Sequence, residues 1–187
     1  MDVLTAARRR RSIRLFDGRK VPAGTLRTLV DAARLYASGG NRQPLAFAAV
    51  TEEKNCAAVF ASLNWAMYLK DFQIPEGARP PAYVLLLDGL GSGGCAFDAG
   101  AAATTLMLGA QDLGLESCCL QIARPKELQA ALGLTKRPLF AVALGYGAVE
   151  SSEAPFTGSV EYYRDEAGNF HVPKRSLEEV LVFSDEA

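Results

Sequence analysis

The stretch FDAGAAATTLMLGAQDLGLESCCLQI, residues 97–122, predicts a long apolar helix followed directly by a buried strand. Small residues fill positions 99–103, so another backbone could approach this helix closely. Gly114 is a typical C-terminal stop for a helix. The run LESCCLQI (115–122) is nearly continuous in apolar residues, which is the pattern of a strand buried on both faces.

Working outward from this stretch, further short apolar runs predict more buried strands. These are LAFAAVT (45–51), AYVLLLD (82–88) and PLFAVALGY (138–146). Helices are predicted after Pro22, over about residues 53–69, and for about seven residues between the last two strands. The segment VEYYRDEAGNFHV predicts a hairpin that turns at Gly168-Asn169. No internal repeat or low-complexity linker interrupts the pattern, so we expect residues 1–187 to form a single α+β domain.

Composition narrows the class of protein. The chain has 187 residues, of which 49% are hydrophobic and 22% charged, as expected for a soluble globular domain. A formal net charge of -1 argues against a dedicated nucleic-acid binder. No apolar run reaches the roughly 18–20 residues that span a bilayer, and no secretory signal is recognisable. Four cysteines without a CxxC pair, and a single histidine, predict no metal site and are compatible with a reduced cytoplasmic setting.

Two local patterns could bind phosphate. The first is GLGSGG (89–94), which matches the GxGxxG fingerprint of a Rossmann-type nucleotide-binding module and lies between a predicted strand and a predicted helix. Asp98 at the start of that helix would compete with a pyrophosphate for the positive end of the helix dipole. The following strand ends in Gln121 and Ile122, and not in the acidic residue that would hold a ribose. A surface loop is therefore the simpler interpretation, and the nucleotide-binding module stays as an alternative.

The second pattern is RRSIRLF (10–16), preceded by Arg8 and Arg9, which places five arginines within seven positions. Arg10, Ser12 and Arg14 alternate, so an extended segment would point all three to one side. Guanidinium groups meet a phosphate with paired donors, and a serine hydroxyl can donate to the same oxygens. This spacing is compatible with one phosphate-sized target, although a solvated basic face remains the alternative.

The order of these segments resembles that of the FMN-dependent nitroreductase family. RRSIRLF, a helix initiated by proline, ASGGNRQP, DAGAAATTLMLGAQDLGLESC, VALGYG and HVPKRSLEEVL follow one another as the corresponding segments do in that family. The similarity covers about residues 10–182. It implies a central mixed, mainly antiparallel sheet flanked by helices, and a C-terminal segment that reaches across to the partner of a homodimer.

The resemblance also implies which residues contact the cofactor, FMN. Its phosphate and ribityl chain would be held near the N-terminus, and from the other end of the chain by Lys174 and Arg175. Three loop residues would reach a flavin bound mainly to the partner subunit, and Leu120 and Gln121 would offer backbone contacts beside the reactive edge of the ring. The N-terminal residues are Arg10, Arg11, Ser12 and Arg14, and the loop residues are Ser38, Asn41 and Gln43.

Other residues near these segments have less definite roles. Lys70 occupies a position where some family members place a lysine near the ring. Trp65 and Tyr68 could line a substrate pocket or pack in the core, and the Cys118-Cys119 pair is expected to pack and not to perform thiol chemistry. His171 lies in the predicted hairpin with no nucleophile motif beside it, so we expect a structural role.

The function that follows from the resemblance is an FMN-dependent NAD(P)H oxidoreductase. It would reduce a nitroaromatic, a quinone or a similar small aromatic acceptor by a ping-pong mechanism. Chemistry is expected on the flavin, so no catalytic side chain is predicted. A flavin-binding, flavin-processing or dehalogenase-like protein of the same fold, without nitroreductase activity, is the alternative.

Overall fold

A computed structural model describes residues 1–91 and 95–185 as an α+β protein, which confirms the predicted class. The helices are α1 Val3–Arg9, α2 Thr25–Ala33, α3 Glu53–Ala61, α4 Ala96–Asp112, α5 Pro125–Leu132 and α6 Leu177–Val180. The strands are β1 Leu45–Val50, β2 Ala82–Asp88, β3 Glu116–Gln121, β4 Arg137–Gly145, β5 Ser151–Pro155, β6 Tyr163–Arg164 and β7 Phe170–Lys174. No helix within these described ranges is long and apolar enough to cross a membrane.

Four strands form a central sheet in the order β1-β2-β4-β3, and every neighbouring pair is antiparallel. The sheet is therefore mainly antiparallel, as the sequence predicts. Its parallel component is an isolated bridge between Ser12 and Ser117. All seven residues of β2 are buried, in agreement with its continuous apolar run.

Helices cover both faces of the central sheet. One face packs against α3 and α5 through Val59 and Leu128, and the other packs against α2 and α4 through Leu29 and Leu106. Helices α2 and α4 approach closely at Gly109, where an added Cβ atom would lie 3.0 Å from Leu29 Cδ2.

The arginine segment runs along the sheet in an extended conformation, anchored by its apolar residues. Ile13 and Phe16 are 3% and 1% exposed, and both belong to the core on the α3 and α5 side. Phe16 packs against Gly145, where an added Cβ atom would lie 2.8 Å from Phe16 Cδ1 and 2.7 Å from Pro81 Cδ. The apolar positions between the arginines therefore decide where the arginines lie.

One predicted helix is shorter than expected. The helix predicted over about residues 53–69 ends at Ala61. Beyond it the Ser62 carbonyl accepts hydrogen bonds from the N–H groups of Ala123 and Arg124, and Leu63 bridges to Ile122. These contacts bind the chain to the end of β3, which is incompatible with continuing the helix.

The GLGSGG segment lies between β2 and α4, and its Ser92, Gly93 and Gly94 fall outside the described residues. In the central sheet β4 separates β2 from β3, so the strands before and after α4 do not pair. The Rossmann-type alternative requires adjacent parallel strands and is therefore wrong for this sheet. Gly89 has a packing role instead, because an added Cβ atom would lie 2.7 Å from the Pro44 carbonyl oxygen.

A second, small sheet follows the central one, in the order β5-β7-β6. β6 and β7 form the predicted antiparallel hairpin, with Gly168 in the left-handed conformation at φ +89°. β5 pairs with β7 in parallel, which places Ser152 opposite His171. This small sheet packs against the arginine segment through Arg11 and Arg14.

Candidate functional site

A cleft of about 720 Å³ opens beside β3. Among the described strands, β3 pairs on one side only, with β4. Its outer side is bridged at Ser117 by Ser12 and just past its end, at Ile122, by Leu63. Backbone groups between these bridges therefore border the cleft. Its lining includes Arg14, Asn64, Ala66, Met67, Cys118, Cys119, Leu120, Gln121, Arg137 and Tyr162.

The arginine segment presents alternate residues to different surroundings. Arg10, Ser12 and Arg14 all act on the Cys118 thiol, whose pKa is raised by burial and lowered in part by Arg14, by the Ser12 hydrogen bond and by Arg10. Arg11 instead donates to Glu153 Oε2 at 2.6 Å and to the Arg10 carbonyl at 2.6 Å. The extended conformation thus brings Arg10, Ser12 and Arg14 close to Cys118, and of the four predicted N-terminal residues only Arg14 is part of the cleft lining.

Arg14 is held rigidly at the wall of the cleft. Arg14 is only 9% exposed. Its guanidinium carbon lies 4.1 Å from the centre of the Tyr162 ring and 5.7 Å from the centre of the Phe170 ring. Its Nη1 atom donates to the Ser12 carbonyl at 3.3 Å. Stacking between a planar guanidinium and an aromatic ring fixes the direction of the remaining N–H groups.

Arg10 and Arg14 are cations that form no ion pair within residues 1–91 and 95–185. Among the ion pairs of the described residues, none involves Arg10 or Arg14, whereas Arg11 is paired with Glu153. Burial lowers the pKa of Arg10, and the charge of Arg11 lowers it further. A bound anion would offset both effects on Arg10, because it would replace the lost hydration and neutralise the repulsion between Arg10 and Arg11.

β3 contributes its edge and its two cysteines. Leu120 and Gln121 line the cleft. Cys118 packs with the core on the α3 and α5 side, and Cys119 packs on the opposite side with the core of α2 and α4. Burial raises the pKa of Cys119 to about 11, so this thiol is protonated at neutral pH. Both observations favour packing over thiol chemistry.

The loop with Ser38, Asn41 and Gln43 does not line this cleft. Ser38 Oγ accepts a hydrogen bond from the Gln43 backbone N–H at 3.0 Å, and Gln43 Nε2 donates to Asn41 Oδ1 at 3.1 Å. Asn41 and Gln43 both have positive φ, at 52° and 48°, and both are exposed. The loop is thus tightly folded and presents amide side chains to the surface.

Lys174 and Arg175 are exposed at the end of β7. Lys174 lies opposite Pro155 in the small sheet. Within the described part of the chain, no hydrogen bond or ion pair joins either residue to the N-terminal arginines. The approach of Arg175 to the phosphate stays a prediction.

The residues with less definite roles separate into packing and rim positions. Trp65 stacks on Phe60 with ring centres 5.3 Å apart and packs against the core. Tyr68 contacts the Tyr162 ring edge-on at 5.1 Å and so lies at the rim of the cleft. Lys70 is exposed and is not part of the lining.

The lining residues that were not predicted from the sequence include Asn64, Met67, Arg137 and Tyr162. Arg137 is the first residue of β4 and directly precedes its apolar run. A cation at the start of a buried strand was the available sequence signal for this residue. Tyr162 belongs to the predicted hairpin region, but nothing local indicates that this region folds back onto Arg14.

Comparison with known proteins gives the family. Residues 7–78 and 94–146 match the model described as the nitroreductase family, so the small sheet lies beyond the matched residues. No protein of curated function matches the chain by sequence.

Solved structures share the fold. An FMN-dependent nitroreductase from Clostridium difficile R20291 is 20% identical, with a TM-score of 0.65, and the alignment covers 80% of this chain and 90% of that one. A putative NADH dehydrogenase/NAD(P)H nitroreductase from Parabacteroides distasonis ATCC 8503 is 22% identical, with a TM-score of 0.67 and coverage of 88% and 97%. A putative NADH oxidase from Clostridium acetobutylicum is 25% identical, with a TM-score of 0.60 and coverage of 78% and 87%. Because the family match spans more than half of the sequence, the chain belongs to the nitroreductase family.

Proposed function

We propose that the protein is a homodimeric FMN-dependent oxidoreductase. It takes hydride from NADH or NADPH and passes the electrons to a nitroaromatic, a quinone or a similar conjugated acceptor, with the two substrates using one site in turn. The family supports oxidoreductase activity. Relatives of the same fold are named as an FMN-dependent nitroreductase, an NAD(P)H nitroreductase and an NADH oxidase, which supports the cofactor and the hydride donor.

The observation that carries this proposal is that Arg10 and Arg14 lie beside the open edge of β3 and form no ion pair in the part of the chain that the structure describes. A terminal phosphate bears close to two negative charges and is a preferred partner of guanidinium groups. Arg10 and Arg14 supply those groups, and the Ser12 hydroxyl lies between them in sequence. The backbone of Leu120 and Gln121 borders the cleft that Arg14 lines and suits a flat ring with hydrogen-bonding atoms along one edge. The residues present thus fit FMN.

When bound, FMN supplies the hydride-accepting and hydride-donating chemistry. The protein's own groups orient the ligand and adjust its surroundings. Arg14, held against Tyr162, keeps a positive charge at a fixed place on the wall, and Arg137 adds a second cation to the lining. Substrates that stack on a flat ring need orientation more than a protein acid or base.

A second subunit completes the proposed site. Ser38, Asn41 and Gln43 are presented on a folded surface loop from which they can reach a flavin held by the partner. Lys174 and Arg175 lie at the exposed start of the C-terminal segment, from which they can approach the phosphate of a neighbouring subunit.

The decisive experiment is to release the bound ligand from purified protein and to identify it by absorbance and mass. We expect FMN, and we expect NADH or NADPH to reduce it before a quinone reoxidises it. FMN that neither nucleotide reduces would indicate a flavin-binding protein without reductase activity. Protein that is colourless, and that takes up no FMN when it is added, would overturn the proposal.

A further inference from the structure

Ser152, His171 and Asp165 form a chain of hydrogen bonds on the small sheet. Ser152 Oγ lies 3.2 Å from His171 Nδ1, and His171 Nε2 lies 3.0 Å from Asp165 Oδ2. The parallel pairing of β5 with β7 places Ser152 directly opposite His171. The sequence suggests a structural histidine with no nucleophile beside it, whereas the fold brings a serine hydroxyl from a strand 19 residues away.

Asp165 is fixed by its own neighbours. Its Oδ1 atom accepts from the Asn169 backbone N–H at 2.8 Å, and its Oδ2 atom accepts from Asn169 Nδ2 at 3.3 Å. Asn169 is held in turn by the Glu150 backbone N–H, which donates to Asn169 Oδ1 at 3.2 Å. The hydrogen bond from His171, followed by those from Asn169, keeps the pKa of Asp165 below its ordinary value.

An ionised Asp165 sets the protonation of the imidazole ring. A carboxylate only accepts hydrogen bonds, so the proton of neutral His171 lies on Nε2, facing Asp165. Nδ1 is then unprotonated and accepts the hydrogen bond from the Ser152 hydroxyl. A nucleophile bonded to a base that is oriented by a third group is the signature of an activated serine.

The serine is accessible. Ser152 is exposed and lines a cavity of about 880 Å³, to which Arg9, Arg19 and Asn169 also contribute. The Tyr163 ring stacks on the His171 ring, with centres 5.1 Å apart and an interplanar angle of 21°, and so covers one face of the imidazole. Arg9 contributes a positive charge to the cavity, whereas Arg19 is paired with Asp17, and Glu116 and Glu150 add carboxylates to the lining.

We propose that Ser152, His171 and Asp165 form a second, hydrolytic catalytic site that acts on small esters with good leaving groups. Ser152 Oγ bonds to the ester carbonyl carbon while its proton passes to His171 Nδ1. The carbon–oxygen bond to the leaving group then breaks, and the alcohol departs with that proton. Water adds to the acyl carbon, gives a proton to His171, and displaces Ser152 Oγ, which recovers the proton as the acid is released.

This site lies on the small sheet and uses none of the residues proposed to bind FMN. Its activity is therefore separable from the flavin chemistry, and either proposal can fail without the other. The experiment uses the purified full chain with its flavin content measured, a fluorophosphonate probe, and p-nitrophenyl acetate as the ester.

We expect the probe to modify Ser152, as mapped by peptide mass spectrometry. Ser152→Ala abolishes labelling, and His171→Gln slows it by at least about a hundredfold, because general-base assistance contributes roughly 10²–10⁴ in rate. Asp165→Asn slows it as well, and p-nitrophenyl acetate hydrolysis follows the same order. Ser159→Ala is the matched control, since Ser159 is exposed on the same part of the chain and bonds only a nearby backbone N–H.

Thermal unfolding of each variant separates loss of chemistry from loss of the small sheet. If Ser152 is labelled no faster than Ser159, the proposal is overturned. The same conclusion follows if His171→Gln unfolds like the parent protein and retains its labelling rate.

Discussion

Arg10 and Arg11 are neighbours in sequence with opposite surroundings. Arg10 faces the thiols of β3 and has no paired carboxylate among the described residues, whereas Arg11 is buried against Glu153. The difference comes from Ile13 and Phe16, whose burial fixes the extended segment and so decides which arginines lie beside β3. Within this run of arginines, Arg11 therefore holds the small sheet through Glu153, whereas Arg10 remains available to bind an anion.

The first residue-scale prediction separates these arginines by cofactor affinity. Arg10→Ala or Arg14→Ala should weaken FMN binding by about tenfold to a hundredfold, because a hydrogen bond to a charged group is worth about 1.5–3 kcal/mol. Arg8→Ala, on the exposed surface of α1, is the control and should change affinity little. The dissociation constant is measured by titration of the flavin-free protein. Equal losses in all three variants would indicate a diffuse basic patch.

A second residue-scale prediction concerns Gly145, where Phe16 and Pro81 leave no room for a side chain. Gly145→Ala should lower the free energy of unfolding by about 1–3 kcal/mol, because the neighbours must shift to accept a methyl group. The control is Gly100→Ala, an exposed position in α4 with no atom within 4 Å of an added Cβ. That change should be neutral or stabilise by up to about 1 kcal/mol. Urea unfolding of both variants tests the difference, and equal effects would contradict the packing argument.

At the scale of elements, the sequence correctly predicts the strands and helix ends that have a local sequence pattern of their own. Continuous apolar runs predict β1 to β4, and the Gly114 stop predicts the end of α4. The helix beginning at Glu53 was predicted too long, because hydrogen bonds from Ala123 and Arg124 redirect the chain after Ala61. The parallel pairing of β5 with β7 has no local signal, since it joins a polar strand to a hairpin across 19 residues.

The ion pair between Arg11 and Glu153 is one of the contacts that attach the small sheet to the rest of the molecule, which yields an element-scale prediction. Glu153→Ala leaves the buried Arg11 guanidinium without its anion, so local opening of β5 and β7 should become easier by about 1–2 kcal/mol. Amide hydrogen exchange in these strands should accelerate by about 5- to 30-fold. Glu161→Ala removes an exposed carboxylate from the same part of the chain and serves as control. Unchanged protection in Glu153→Ala would show that this ion pair does not hold the sheet.

At the scale of the whole molecule, the candidate site combines predicted and unpredicted residues. The family pattern names Arg10, Ser12, Arg14, Leu120 and Gln121, which the fold gathers around β3. Arg137, Tyr162 and the neighbours of His171 depend on contacts between distant segments, and such contacts are invisible in a linear pattern. Residues assigned to the partner subunit stay predictions, because their role depends on a second chain.

Thiol burial on both faces of the central sheet leads to a prediction for the stability of the whole molecule. Burial raises the pKa of Cys56 and of Cys119 to about 11, from an ordinary value of 9.0. Below pH 9 both thiols stay protonated in the folded and unfolded chains. Between about pH 9 and 11 only the unfolded chain releases these protons, so the free energy of unfolding should fall as pH rises. Guanidinium unfolding at pH 8, 9 and 10.5 measures the slope.

The matched comparison is between Cys56→Ala and Val59→Ala, two truncations in the buried face of α3. Both should lower stability at every pH. Only Cys56→Ala should flatten the decline above pH 9, by up to about 1 kcal/mol per pH unit. Identical slopes in the two variants would show that Cys56 does not titrate differently in the folded and unfolded chains.

The position of Trp65 has a practical consequence. It is the only tryptophan in the chain, and its sequence neighbours Asn64 and Ala66 both line the cleft beside β3. A flavin absorbs light in the range in which tryptophan emits, so a ring bound in that cleft would receive excitation energy from a single donor. The native chain therefore contains its own optical probe, and quenching of its fluorescence would report cleft occupancy without any label.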